Sequence, residues 1–211
     1  MDMMNESCSR FLAELASKAP TPGGGGTAAL VGAAGVALGN MVGNLTTGKK
    51  KYAAVEEKIQ ALNAKAETLR KELEALVQED AEAFAPLAAA YGLPKDTPEQ
   101  AADKERVMET ALTRAALVPI KIMQKCLEGI TLAYSYAVDG STMAISDAGC
   151  AAVLCKAALQ AASLNVFVNT KLMTNREFAT ALEHTAEQLL DAGTSYADEA
   201  FHYVNEKLRS K

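Results

Sequence analysis

The chain has 211 residues, a length that suits one domain (1–211) with room for a sizeable core. Apolar residues make up 49% of it, which excludes a disordered composition, and a formal charge of −5 offers no basic field for nucleic acid. Aromatics are scarce and Trp is absent; the apolar share is heavily Ala, Leu and Val, a bias that favours close-packed helices.

The first predicted element is a short amphipathic helix from about Asn5 to Lys18. Its acidic start, MDMMNESCSRFLAEL, lacks a signal peptide's basic opening and apolar run, so the expected location is cytoplasmic. The loop PTPGGGG follows, then an uncharged helix from about Thr27 to Leu45. No charge falls between Lys18 and Lys49, a length that raises a membrane span. The clustered glycines and polar Asn40, Asn44, Thr46 and Thr47 favour a helix buried inside protein instead, with no membrane partner.

GKKKY leads into a long helix, about Tyr52 to Tyr91. At Thr97, Pro98 and Gln100 a capping box with proline in the first turn starts the next, which runs to about Val138 with a bend at Pro119. After DGST comes a second uncharged-looking helix, about Ser146 to Thr170. Thr174 and Glu177 form a capping box for the last helix, whose inner face carries Phe178, Leu182, Leu189, Gly193, Tyr196, Ala200 and Tyr203. No stretch alternates as a strand does. The expected fold is therefore all-α: a multihelical bundle with two buried apolar helices. Two such helices are many for this chain to cover, and a homodimer is expected to cover part of them. Gly35, Gly39 and Gly43, at four-residue spacing, would let another backbone approach the first of the two closely.

Several residues break their own pattern. On the long helix Val55, Ile59, Leu62, Ala66, Leu69, Leu73 and Leu76 form a seam of alternating four- and three-residue steps. Continuing that rhythm lands on Asp80, where a leucine is expected. A buried carboxylate must be paired, hydrogen-bonded or protonated, so Asp80 is either a functional group or a point where the seam frays into solvent. Pro86 beyond it offers a bend that would open space. Asp147 opens a long apolar run; either Ser146 caps the helix and Asp147 complements its positive end, or the carboxylate belongs to a site. Asn165 and Asn169, one turn apart on an apolar helix, bond between helices or touch a polar ligand. The glycine stretch after Pro22 offers backbone N–H groups but is neither a P-loop nor a Rossmann fingerprint. Lys49, Lys50 and Lys51 form a compact basic patch, as a solvated helix entry or as the receiver of a polyanionic tail.

Cys8, Cys126, Cys150 and Cys155 have no CxxC spacing, and Cys150 and Cys155 read as small core residues. Neither His184 nor His202 sits in a ligand-spaced cluster, so no metal site is expected.

Taken together, TPGGGGTAALVGAAGVALGNMVGNLTTGKKKY, QEDAEAFAPLAAAYGLPK and SDAGCAAVLCKAALQAASLNV resemble the cyclodeaminase/cyclohydrolase family, in order and over essentially the whole chain. That family comprises the C-terminal domain type of formiminotransferase-cyclodeaminase and free-standing methenyltetrahydrofolate cyclohydrolases. The resemblance implies an all-helical dimer. It maps the family's Pro-Gly-Gly-Gly stretch to Pro22, Gly23, Gly24 and Gly25, the Asp-x-x-Ala-Phe element to Asp80, Ala83 and Phe84, the Ser-Asp element to Ser146 and Asp147, and the Asn-Val element to Asn165 and Val166. Two positions depart from the pattern: Ser141 stands where an Asn is common, and Gly26 replaces a commoner serine.

The resemblance further implies an enzyme acting on a tetrahydrofolate derivative, with no cofactor beyond that substrate and no metal. A cyclohydrolase adds water to the cationic carbon bridging two folate nitrogens; a cyclodeaminase closes that bridge from a formimino group and expels ammonia. Both pass through a tetrahedral carbon and need proton transfers, and a desolvated carboxylate can stabilise the cationic centre and shuttle a proton. Asp80 is the first candidate and Asp147 its partner, with the glycine stretch, Phe84, Ser146 and Asn165 contacting the substrate and Lys49 and Lys50 meeting a polyglutamate tail. No formiminotransferase domain is attached, which favours the hydrolase. A non-catalytic helical scaffold, whose buried aspartates fix helix register, is the alternative from another class.

Overall fold

The computed structural model describes residues 3–210. Among them no strand occurs. The helices are α1 (Cys8–Leu15), α2 (Gly24–Asn44), α3 (Glu56–Tyr91), α4 (Pro98–Asp139), α5 (Ile145–Thr170) and α6 (Arg176–Arg209), with 3-10 turns at Met3–Asn5, Lys50–Val55 and Thr142–Ala144.

The seam on α3 is real. Ile59, Ala66, Leu69, Leu73 and Leu76 are buried, as are Ala83 and Leu87 beyond Asp80. They pack α3 against α2 and α4, and α5 packs on α2, α4 and α6. At the start of α4 both halves of the capping box form: the Gln100 amide donates to Thr97 Oγ1, and Gln100 Oε1 accepts from the Thr97 amide.

α4 continues through Pro119 without a break. Proline has no N–H, so the Ala115 carbonyl one turn earlier loses its helical donor. Asn169 of α5 supplies the replacement, its Nδ2 donating to the Ala115 oxygen at 3.1 Å. Of the two sequence readings of Asn169, the inter-helix bond is present.

α2 and α5 run antiparallel, Gly24 lying by Asn165 and Gly35 by Ala151 and Cys155. A Cβ at Gly35 would sit 2.7 Å from Cys155 Sγ and 3.1 Å from the Ala151 oxygen, so this close approach requires glycine. Both helices are long and apolar enough to span a membrane by length and composition, but only 56% and 44% of their apolar windows are buried. Each is interior on one side and keeps an apolar outer face, so the single chain covers them only in part.

Local expectations need correction in several places. The first helix is confined to Cys8–Leu15, because Ser7 caps it by accepting from the Arg10 amide. Lys50–Val55 is a 3-10 turn, and α3 proper starts at Glu56. Gly24, Gly25 and Gly26 are the first turn of α2, not a loop. Ser146 lies inside α5, whose N-cap Ala144 has no side-chain bond, so Ser146 is not the cap. For α6 the cap is Asn175, its Oδ1 accepting from the Phe178 amide. Thr174 instead donates through its amide and hydroxyl to Glu109. Cys150 is exposed, unlike buried Cys155, and Tyr196 is exposed on α6.

Candidate active site

Asp80 is half-buried on α3, facing the first turn of α2. The Gly26 N–H donates to Asp80 Oδ2 at 2.8 Å. The first amides of a helix have no partner within it, and here one is met by a carboxylate at the positive helix end. Side chains on this turn would forbid the contact. A Cβ at Gly25 would lie 2.1 Å from Asp80 Oδ1, and one at Gly24 would lie 3.1 Å from the Asn165 amide. The glycines therefore serve close approach, as their clustering suggested, but on a helix.

Burial pushes the Asp80 carboxyl above its ordinary range, and the Gly26 hydrogen bond only partly opposes that. Among the described residues no cation pairs with it. A cleft of about 180 Å³ opens beside it, walled by Gly23, Gly24, Gly25, Phe84, Asn165 and Asn169, with Pro20, Thr21, Ala115, Pro119 and Val168 completing the lining. A half-buried carboxylate with a raised pKa, oriented by one backbone N–H and facing a cleft, is a candidate for acid–base work.

The other sequence candidates are distributed unevenly. Gly23, Gly24, Gly25, Phe84 and Asn165 join Asp80 in the cleft. Pro22, buried behind that turn, lines a neighbouring depression with Arg10 and Phe11 instead. Asp147 does not meet Asp80 within the chain. It lies eighteen residues before Asn165 on α5, five turns or roughly 27 Å away at ~1.5 Å per residue. Ser146 shares that far end and borders an apolar groove between α5 and α6. Lys49 and Lys50, exposed just past the C-terminus of α2, are likewise remote from Gly24. The expected pairing of the two aspartates in one site is thus corrected for the single chain.

The far end holds a residue that the sequence reading passed over. Tyr52 Oη accepts from the Thr142 amide at 3.0 Å, lies 3.3 Å from Thr142 Oγ1, and has the Lys51 ammonium over its ring. Hydrogen bonding to the Thr142 hydroxyl and amide brings the phenol down to about 7. Its place directly after the lysine triad was the available signal. A larger furrow of about 590 Å³ between α3 and α4 contains Lys125, already ion-paired to Glu72 and Glu128. Lys125 is thus paired on both sides, whereas Asp80 has no cationic partner among the described residues. Among the described residues no three His, Cys, Asp or Glu side chains converge.

The chain is similar to known proteins over nearly its whole length. It is 43% identical over 204 residues to a methenyltetrahydrofolate cyclohydrolase of Methylorubrum extorquens, covering 97% of this chain and 98% of that one. It is 30% identical to the formimidoyltransferase-cyclodeaminase of Rattus norvegicus, covering 92% of this chain but 36% of the longer rat protein. The fold matches the crystal structure of formiminotetrahydrofolate cyclodeaminase from Thermotoga maritima with a TM-score of 0.80 and 28% identity, over 97% of this chain and 96% of that one. With the formiminotransferase-cyclodeaminase family model matching residues 7–188, the chain belongs to that family.

Proposed function

We propose that the protein is a methenyltetrahydrofolate cyclohydrolase, with Asp80 as its acid–base carboxylate. The observation that carries this reading is a half-buried carboxylate, free of any cationic partner among the described residues, facing a cleft and oriented by one backbone N–H. The methenyl bridge is a cation, so an ionised Asp80 would attract it electrostatically in a partly water-excluded site. Water then adds to the bridging carbon and loses a proton to Asp80. The resulting hydroxyl-bearing tetrahedral carbon collapses as its bond to N5 breaks and N5 takes up a proton. The sum is methenyl cation plus water giving the 10-formyl product plus one proton. Asn165 and the backbone of Gly23 and Gly24 would hold the ring beside the carboxylate.

Cyclodeamination is the second reading, supported by the names of the rat relative and the Thermotoga structure. The 43% identity to a free-standing cyclohydrolase, with matching lengths, favours hydrolysis. Further parts of the proposal are a homodimer, a cytoplasmic location without membrane attachment, no metal or additional cofactor, and a polyglutamate tail received by Lys49 and Lys50. Incubating the purified chain with methenyltetrahydrofolate and with formiminotetrahydrofolate decides the reaction. Enzyme-dependent loss of methenyl absorbance from the first supports the hydrolase, appearance from the second the deaminase, and neither sinks both.

A further inference from the structure

Resting on the folate reading, we propose that Asn169 is a specificity-determining residue of the cleft, its side-chain oxygen accepting a hydrogen bond from the 2-amino group of the substrate's pterin ring. Asn169 Nδ2 carries two hydrogens, and two backbone carbonyls take them: Ala115 of α4 at 3.1 Å and Asn165 of α5 at 2.8 Å. Carbonyl oxygens only accept, so the amide has one permitted orientation, with both hydrogens toward the backbone and Oδ1 turned the other way. Among the described residues no protein donor meets that oxygen. Nor is it one of the side-chain atoms buried without a partner, which are Asn40 Nδ2 and Gln78 Oε1. It is therefore open to a ligand, and the space that Asn169 borders is the cleft. Asn165, one turn earlier, differs. One of its Nδ2 hydrogens goes to the Ala161 carbonyl at 2.9 Å, which leaves a second hydrogen and an oxygen. Asn165 can donate or accept; Asn169 can only accept.

The rest of the cleft decides which donor that acceptor meets. At about 180 Å³ the cleft falls below the roughly 300–1,000 Å³ usual for a whole small-molecule ligand, so it takes one ring system of the substrate and leaves the remainder outside. Phe84, Pro119 and Val168 give it apolar sides suited to a flat ring. Asp80 stands on α3 and Asn169 on α5, and α2 and α4 lie between those helices, so the two groups face the cleft from different walls. The amides of Gly24 and Gly25, in the first turn of α2, have no acceptor among the described residues. Gly25 lies beside Asp80 and Gly24 beside Asn165.

A pterin ring carries its groups in the matching order. N5 bears the cationic bridge that Asp80 attracts. The carbonyl oxygen at C4 is the next substituent round the ring from N5, and it accepts, as the glycine amides near Asp80 require. The 2-amino group lies on the far side of the ring from N5, and it donates, as Asn169 on the other wall requires. A ring with no donor there would leave Asn169 Oδ1 desolvated and unpaired, the condition under which a site discriminates most strongly.

The test compares methenyltetrahydrofolate with its 2-desamino-2-methyl analogue, which keeps the reacting bridge and replaces the amino donor by a methyl group. Asn169 also serves the Ala115 carbonyl, so it is substituted in a chain where Pro119→Ala has restored that carbonyl's helical donor, with Pro119→Ala alone as the reference. The unmodified protein and the reference should favour the amino substrate by at least ~10-fold in kcat/KM, and Pro119→Ala/Asn169→Ala should cut that preference to within ~2-fold. The change should appear as a raised KM for methenyltetrahydrofolate with kcat largely kept, because this contact is remote from the reacting carbon. A double variant that keeps the preference, however slow it is on both substrates, overturns the proposal and leaves the folate reading standing. So does an unmodified protein that turns over both compounds equally well. An unmodified protein that acts on neither methenyl- nor formiminotetrahydrofolate overturns the folate reading and the proposal with it. Should the protein deaminate instead, the same comparison is made with the two formimino compounds. If the double variant does not fold, Asn169→Ser takes its place, since a serine hydroxyl can still donate to the Asn165 carbonyl one turn back, and the same fall in preference is required.

Discussion

The amide of Gly26 and the carboxylate of Asp80, fifty-four residues apart in sequence, are joined by a 2.8 Å hydrogen bond that fixes the acidic group at the mouth of a helix. The carboxylate is desolvated enough to rise above its usual range, yet held in one orientation. The flanking glycines are what make room for it.

Gly25 tests that relationship directly. A methyl group there would overlap Asp80 Oδ1, while the side chain has little freedom because its other oxygen is tied to Gly26. Gly25→Ala should displace Asp80 and reduce turnover by at least ~100-fold, the scale of a lost general acid or base. Circular dichroism should show an intact helical fold. Full activity in this variant would mean that the observed carboxylate position is not the working one.

The raised Asp80 pKa has a signed consequence for stability. As pH rises, the unfolded chain releases this proton at an ordinary carboxylate value, about 4, whereas the native state holds it longer. The native state therefore loses relative stability as pH climbs from about 4 through the raised value, and bears the full cost above it. Asp80→Asn removes that cost while its side-chain oxygen can still accept from Gly26. Thermal melts should show the variant more stable at pH 8, with the advantage shrinking toward zero by pH 4.

Asn169 answers the backbone carbonyl that Pro119 leaves without a donor. Asn169→Ala strands the Ala115 oxygen in a mostly apolar contact and should cost about 1–3 kcal/mol in urea denaturation. Pairing it with Pro119→Ala, which restores the helical N–H, should recover most of that loss.

At the α2–α5 contact, Gly35→Ala places a methyl group against Cys155 Sγ and the Ala151 backbone. Overpacking against backbone relaxes poorly, and a loss of roughly 1–3 kcal/mol is expected by denaturant titration. Gly92→Ala is the control, since its added carbon meets the Ala89 oxygen at an ordinary 3.5 Å.

Much of this was legible in the sequence, for physical reasons specific to each residue. The heptad-like seam on α3 led to Asp80 because its buried steps continue on either side of it, through Leu76 and Ala83. Glycine's low helix propensity hid the true start of α2. The helix begins at Gly24 because tertiary contact with Asp80 and Asn165 outweighs a propensity cost of about 1 kcal/mol per glycine. Cys150 and Cys155 share one apolar run, but five residues turn them about 140° apart on the helix, so one is exposed and the other buried. The same arithmetic separates Asp147 from Asn165. Eighteen residues are five full turns, which places them on one face but at opposite ends.

The most direct test is single-turnover hydrolysis of methenyltetrahydrofolate by the unmodified protein and by Asp80→Asn, both checked for equal helical content and oligomeric size. The account expects the substitution to slow decay of the methenyl absorbance by at least ~100-fold while substrate still binds. Equal decay rates in two equally well-folded proteins would contradict it.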